Sequence, residues 1–235
     1  MAATDQPRLY PQQQFSPPSG ACEILLVRHG ESAPVVSGKD FPLVDGHGDP
    51  SLSQRGHDQA ALLAARLRVA PIAAIYVTNL RRTHETAAPV ATELGMAPIV
   101  EPDLREVYLG EWEGGLFRQK VAESDPIAMS MWAEGRWDVI PGAETNDALR
   151  ARTVPALARI ATNHPDSRVM VVAHGGVIGT LLAHATGGRP FAFVGVDNAS
   201  ISNLVIIGER WILRRFNDTG HLEDDLSPGT NEPNG

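Results

Sequence analysis

Three short segments of the 235-residue chain concentrate histidine, arginine and glycine: Arg28-His29-Gly30, Thr78 through Arg82, and His174-Gly175-Gly176. The glycines let backbone N–H groups approach a ligand closely, and the planar fork of arginine fits phosphate or carboxylate oxygens two at a time. Brought together, the three segments suit an anion. They make a poor metal site, because the histidines have no Asp, Glu or Cys at ligand spacing and the adjacent arginines oppose a cation. Neither metal nor cofactor is expected. A neutral imidazole among cationic donors is suited to in-line attack on phosphorus, the donors neutralising the equatorial oxygens while the nitrogen adds. The product is a covalent phosphohistidine. An alkoxide leaves phosphorus poorly without a proton, so an acid is required. Glu106, in the stretch Leu104 to Gly114, is the candidate, with Glu31, Glu111 and Glu113 as the alternatives that the residues alone leave open.

The elements that must position these groups are readable from periodicity. Ile24 to Val27 is a buried strand running into the first segment, Ala73 to Val77 a strand running into the second, and Arg168 to Val172 a strand running into the third. Helices are predicted from Ser53, as N-cap, to Arg68 with Leu62, Leu63 and Leu67 on one face, from Leu80 to Leu94 with a stop at Gly95, from Thr145 to Asn163, and from Val177 to Ala185. A short strand near Ile99 and closing strands at Ile201 to Ile207 and Trp211 to Phe216 complete the pattern. Alternation of this kind predicts an α/β fold, a three-layer αβα sandwich whose mostly parallel central sheet carries helices on both faces. Ligands of such sheets bind outside the carboxyl ends of the strands. The three segments therefore share one crevice if their strands are neighbours. Gly110 to Pro141, with Trp112, Phe117, Trp132 and Trp137, is the least regular stretch and reads as an excursion able to act as a lid; its aromatic residues read as packing, without a site role. Residues 1–20 and 220–235 are too polar and rich in Pro and Gly to repay their ordering entropy and read as disordered tails. Residues 21–219 form a single catalytic domain.

Composition narrows the partners. With 28 acidic and 20 basic residues the net charge is -8, which excludes a general nucleic-acid or anionic-membrane binder. The longest apolar runs fall well short of the roughly 20 residues that span a bilayer. Met1 to Gly20 has neither a basic start nor an apolar core of a secretory signal. The single Cys22 can form no intrachain disulfide and reads as a small hydrophobe in a reducing compartment. A cytoplasmic protein acting on a small molecule is expected, and the apolar closing strands leave room for a homodimer.

The order of the motifs carries a family resemblance. Leu26-Val27-Arg28-His29-Gly30-Glu31-Ser32, with its Arg-His-Gly (RHG) core, resembles the signature of the histidine phosphatase superfamily, which includes cofactor-dependent phosphoglycerate mutases and many phosphatases. Asp49 to Ala60 looks like that family's entry to the first helix. Thr78-Asn79-Leu80-Arg81-Arg82-Thr83 with Thr86-Ala87 looks like its second arginine motif, Glu106 with Gly110-Glu111-Trp112-Glu113-Gly114 like its acid loop, Pro141 to Thr145 like the element before the next helix, and Ala173-His174-Gly175-Gly176 like its second histidine motif. The likeness runs from about Ile24 to Asn217. It implies that His29 accepts the phosphoryl group, that Arg28, Arg82 and His174 hold it, with Ser32 and Gly175 in the substrate-binding set, and that Glu106 donates the proton and later serves as base for water. Arg82 is preferred to Arg81 because the motif sets its arginine directly before the position of Thr83; Arg81 reads as a solvated charge. One departure stands out. Where the family commonly has a phosphate-contacting Asn, this chain has Val35 and Val36, within an insertion from Pro34 to Gly48 that brings Lys39, Asp40, Asp45 and His47 near the pocket mouth. The remaining histidines, His47, His57, His84, His164, His184 and His221, read as surface or helix-face residues.

The resemblance implies a metal-independent phosphomonoesterase of the acid phosphatase type, acting on a small phosphate monoester through phosphohistidine. The alternative in the same fold is a phosphoglycerate mutase, but the Arg-His-Tyr-Gly stretch after the acid and the Asn after the second His-Gly that mark mutases are missing. The alternative of another class is a catalytically silent phosphate-binding or scaffold protein. A reaction needing neutral His29 and protonated Glu106 implies a bell-shaped pH dependence.

Overall fold

The computed structural model describes residues 9–222. The segments 1–8 and 223–235, the outer parts of the two expected tails, lie outside the described residues. Of the inner part, Phe15 sits under the guanidinium of Arg214, 3.7 Å from its carbon to the ring centre, and the Gly20 N–H donates to Asp166 Oδ1 at 2.6 Å.

β1 (Cys22–Arg28) is buried on both faces because its apolar residues alternate between two cores. Ile24 and Leu26 face one core, Leu25 and Val27 the other. The chain then makes a small hairpin, β2 (Leu43–Val44) with β3 (His47–Gly48), within the insertion noted above. β4 (Ile72–Val77), β5 (Ile99–Val100), β6 (Ser167–Ala173), β7 (Ile201–Ile207) and β8 (Arg210–Asp218) complete the main sheet, in the order β5-β4-β6-β1-β7-β8. β5, β4, β6 and β1 run parallel, whereas β7 is antiparallel to β1 and β8 to β7. Residues predicted as closing strands thus add an antiparallel margin to a parallel sheet.

Helices cover both faces. α1 (Gln54–Leu67) and α2 (Arg81–Leu94) pack through Leu63, Leu67 and Val90 on the Leu25/Val27 side, and α5 (Asn146–Asn163) and α6 (Gly175–Thr186) through Leu157, Ile160, Leu181 and Leu182 on the Ile24/Leu26 side. Ser53 caps α1 by accepting from Gly56 N at 3.1 Å, and Gly95, at φ 64°, ends α2. Leu62 is exposed, contrary to the expected stripe: it lies one residue, about 100°, from Leu63, and Ala60 and Ala64 complete the buried face instead. The Gly110 to Pro141 stretch is also more regular than the sequence reading held. It contains a 3-10 segment at Gly110–Gly115, α3 (Leu116–Ala122), α4 (Pro126–Glu134) and a turn at Trp137–Val139. Asp125 starts α4 by accepting from Ile127 N, with Pro126 at the first helical position. Trp112, Met131, Trp137 and Ile140 root the excursion in the core on the α5/α6 side. Among the described residues no helix is long and apolar enough to cross a membrane.

Candidate active site

β4, β6 and β1 are adjacent and parallel, so the three His/Arg/Gly segments meet where these strands end. His29 N–H donates to Ala173 O at 3.0 Å, joining the first segment to the third. The loop after His29 is braced against two helices: Gly30 N–H donates to Thr86 Oγ1 of α2 at 2.9 Å and Glu31 N–H to Gln59 Oε1 of α1 at 2.8 Å. α1 approaches so closely that a Cβ at Gly56 would lie 2.0 Å from Glu31 O and one at Gly30 2.7 Å from Gly56 O. Only glycine permits this backbone contact.

His29 is 6% exposed and its Nδ1 lies 2.8 Å from the carbonyl of Gly30. Only a protonated Nδ1 can make that bond, which leaves the lone pair on Nε2. Burial above all, then the charges of Arg82 and Arg28, hold its pKa well below the usual 6.5. The imidazole is therefore neutral at neutral pH. His174 lies with its ring centre 5.2 Å from that of His29, its Nε2 3.0 Å from Thr78 Oγ1. Burial, and then Arg82, depresses its pKa in the same way.

Arg28 donates from Nη1 to Val196 O, and Arg82 from Nη1 to Gly48 O at 2.9 Å with Asp49 Oδ1 at 4.0 Å. Burial brings the Arg82 pKa down to about 10, still charged at neutral pH. Two buried polar atoms in this cluster, Arg28 Nε and His174 Nδ1, have no hydrogen-bond partner. Such groups are costly when left unpaired; Arg28 lines the cavity described below, whereas His174, wholly buried, stands behind its lining. Arg81 is exposed and pairs with Glu85, as expected of a solvated charge.

Glu106 lines the same cavity, its Oε1 accepting from Val107 N at 2.9 Å and its Oε2 from Gly176 N, at the start of α6, at 3.4 Å. The acid loop hangs from Arg152 of α5. Its guanidinium donates to the carbonyls of Asp103 and Arg105 at 2.7 Å and of Glu106 at 2.9 Å, and is held in turn by both oxygens of Glu144 at 2.8 Å. The sequence marks Glu144 only as part of a motif and does not mark Arg152, one of three arginines in a helix pattern with nothing to set it apart.

The cavity, about 170 Å³, is lined by Arg28, His29, Arg82, Glu106 and Gly175, and by residues given no site role from sequence. Arg118 is the main one. Half-buried on α3, it donates to Ser32 Oγ and Ala33 O, lies over the Phe41 ring at 5.3 Å, and is close enough to lower the pKa values of Arg82 and His29. Ser32 thus holds this arginine and does not itself line the cavity. His47, expected at the surface, is 5% exposed and also lines it, because β3 turns it inward beside Tyr108. His164, likewise taken for a surface residue, bonds through Nε2 to Tyr76 O–H. Trp112, Phe117, Trp132 and Trp137, read from sequence as packing, also line the cavity. Among the described residues no group of three or more His, Cys, Asp or Glu side chains could hold a metal ion.

Residues 24–219 match the model of the histidine phosphatase superfamily, branch 1. The chain belongs to this superfamily. Within it, the chain is 35% identical over 209 residues to phosphoglycerate mutase-like protein 4 of Arabidopsis thaliana, covering 86% of this chain and 87% of that one. It is 33% identical to the metal-independent phosphoserine phosphatase of the same plant, covering 87% and 84%. Its fold is similar to that of a mycobacterial glucosyl-3-phosphoglycerate phosphatase, with a TM-score of 0.70, 29% identity, and coverage of 85% of this chain and all of that one. The mostly parallel sheet with helices on both faces is thus that of the histidine phosphatase superfamily.

Proposed function

We propose that this chain is a metal-independent phosphomonoesterase in which His29 is the nucleophile. The observation that carries the proposal is a neutral imidazole, its lone pair fixed on Nε2 by the Nδ1–H bond to Gly30 O, buried among the guanidiniums of Arg28 and Arg82 with Glu106 in the same cavity. Nε2 attacks phosphorus in line while Arg28, Arg82 and His174 take the equatorial oxygens. Glu106 gives its proton to the departing alcohol oxygen. As carboxylate it then takes a proton from water, which attacks the phosphohistidine and releases inorganic phosphate and free His29. Arg118 supplies a third guanidinium on the side where the family's Asn is missing, while Gly175 lets the start of α6 approach and Ser32 holds Arg118.

The net charge of -8 supports a small-molecule substrate over nucleic acid, and a single cysteine, which can form no intrachain disulfide, fits a reducing cytoplasm. The test is hydrolysis of p-nitrophenyl phosphate in EDTA by the wild-type protein and by His29→Ala, with a search for an acid-labile, alkali-stable phosphoenzyme. The expected result is metal-independent turnover lost in the variant. Equal activity in both removes His29 from the mechanism; isomerisation of 3-phosphoglycerate with 2,3-bisphosphoglycerate, without hydrolysis, makes the protein a mutase; and anion binding with no turnover makes it a binding protein.

A further inference from the structure

The cavity that holds the reacting groups has two kinds of lining. One is the polar set of Arg28, His29 and Arg82. The other is an apolar set of Phe41, Leu109, Trp112, Phe117, Trp132 and Trp137. The rings form a packed row: Trp112 and Phe117 lie 6.3 Å apart between centres, as do Phe117 and Trp137, and Phe191 backs Trp132 at 5.5 Å and Trp137 at 4.5 Å. Trp112 and Trp137 are almost wholly buried, whereas Trp132 is 41% exposed and stands at the open edge. A row of rings braced from behind and facing an enclosed cavity is a preformed surface for an apolar or flat group.

Arg118 and Glu113, the charged residues beside Phe41, Phe117 and Leu109, are already partly engaged within the protein. Each terminal nitrogen of Arg118 donates to Ser32 or Ala33, and its face lies on Phe41. Glu113 accepts from Gly48 N at 2.7 Å and Leu109 N at 2.9 Å with its two oxygens. A carboxylate or second phosphate on the alcohol part of a substrate would be desolvated there against aromatic carbon, at a cost.

We propose that the substrates are monophosphate esters whose alcohol part is uncharged and carries an apolar ring, seated on the wall of Trp112, Phe117, Trp132 and Trp137. This rests on the phosphatase reading above. The reaction balances as before: the P–O bond to the ring-bearing alcohol breaks, the alcohol leaves with the Glu106 proton, and water restores His29.

The test compares esters that share an alkyl leaving group, so that leaving-group acidity does not mask recognition: 2-phenylethyl phosphate, ethyl phosphate, O-phosphoserine and 3-phosphoglycerate. The expected kcat/KM for 2-phenylethyl phosphate exceeds each of the others by about ten-fold or more, since burying a ring contributes more than that factor requires. In Trp132→Ala and in Phe117→Ala the phenylethyl-to-ethyl ratio falls. A ratio near one overturns the proposal. So does a preference for O-phosphoserine or 3-phosphoglycerate that is lost in Arg118→Met, because Arg118 then reads a second anion. Calorimetric binding of the non-hydrolysable 3-phenylpropylphosphonate and propylphosphonate tests the wall without turnover. If no ester is hydrolysed, the phosphatase reading fails, yet a tighter phenylpropyl compound still sustains the ligand class and equal binding overturns it.

Discussion

Replacing Gly176 by alanine presses on the acid first and on its neighbours Trp137 and Val107 less. A Cβ at this position would lie 2.8 Å from Glu106 Oε1, 3.2 Å from Trp137 Cζ2 and 3.3 Å from Val107 Cγ1. Relief requires the carboxylate oxygen to retreat by about half an ångström, since a carbon–oxygen contact settles near 3.4 Å or beyond. Glu106 can give way because its carboxylate ends a flexible side chain; the retreating Oε1 strains its 2.9 Å bond from Val107 N, while the bond from Gly176 N to Oε2 is already long at 3.4 Å. The fold is expected to absorb the change: alanine gains up to about 1 kcal/mol over glycine in a helix, offset by the crowding of Trp137 and Val107. A net change within about 1 kcal/mol moves the melting temperature by no more than about 4 °C in a domain of this size. Activity is expected to suffer far more, because sub-ångström misplacement of a reacting group costs up to roughly 100-fold in rate. The loss must depend on the leaving group. 2-Phenylethyl phosphate, whose alkoxide needs a proton, should lose about 10- to 100-fold in kcat, whereas p-nitrophenyl phosphate, which departs as a stable phenolate, should lose only a few-fold. Steady-state kinetics on both esters for the wild type, Gly176→Ala and Glu106→Gln, beside thermal unfolding, make the measurement. Equal losses on the two esters would remove Glu106 from the role of acid, and a fall in melting temperature well beyond 4 °C would show that the helix start, not the carboxylate, had yielded.

Three further outcomes are expected. Arg118→Met should raise KM for p-nitrophenyl phosphate by about ten-fold, a charge-assisted contact contributing roughly 1.5 kcal/mol, and an unchanged KM would place Arg118 outside phosphate binding. Arg152→Met frees three carbonyls of the acid loop and strands the Glu144 carboxylate, so kcat should fall for 2-phenylethyl phosphate more than for p-nitrophenyl phosphate, with a loss of several kcal/mol in denaturant unfolding because a partner of a part-buried ion pair has been removed; parallel losses in kcat would leave Arg152 a purely structural residue. His29 and His174 have folded pKa values well below their unfolded 6.5, so the unfolded chain binds more protons and stability is complete above about pH 6.5 and lost as pH falls from there toward the folded values, by up to about 1.4 kcal/mol per pH unit for each histidine; denaturant melts between pH 7.5 and 5 check this, and the slope in that window should fall in His174→Gln.

Much of this architecture was legible in the chain. The strands with β-branched runs and the helices with clear caps, Ser53, Thr145 and Gly95, fell where periodicity put them, since local signals decide such elements. The convergence of Arg28, His29, Arg82 and His174 also followed, because strand ends of a parallel sheet share one edge. Arg118 and Arg152 were not legible, as each acts through contacts 46 or more residues away, with Ser32 and Ala33 or with the acid loop. Leu62 and the excursion miscarried for opposite reasons. At Leu62 the helix period was right but the stripe was drawn one residue too wide, and in the excursion short helices of seven and nine residues give too few turns for a period to show.

The bracing of the acid loop by Arg152 has an evolutionary reading. The nucleophile is carried by β1, the acid by a clamp from α5, and the aromatic wall largely by α3, α4 and their flanks, so the three parts of the pocket are mounted on separate supports. Residues such as Trp132 can change without loosening Glu106 or turning His29. A lineage built this way can exchange the alcohols it accepts by single substitutions in one small helical insert, while the bond-breaking apparatus stays fixed.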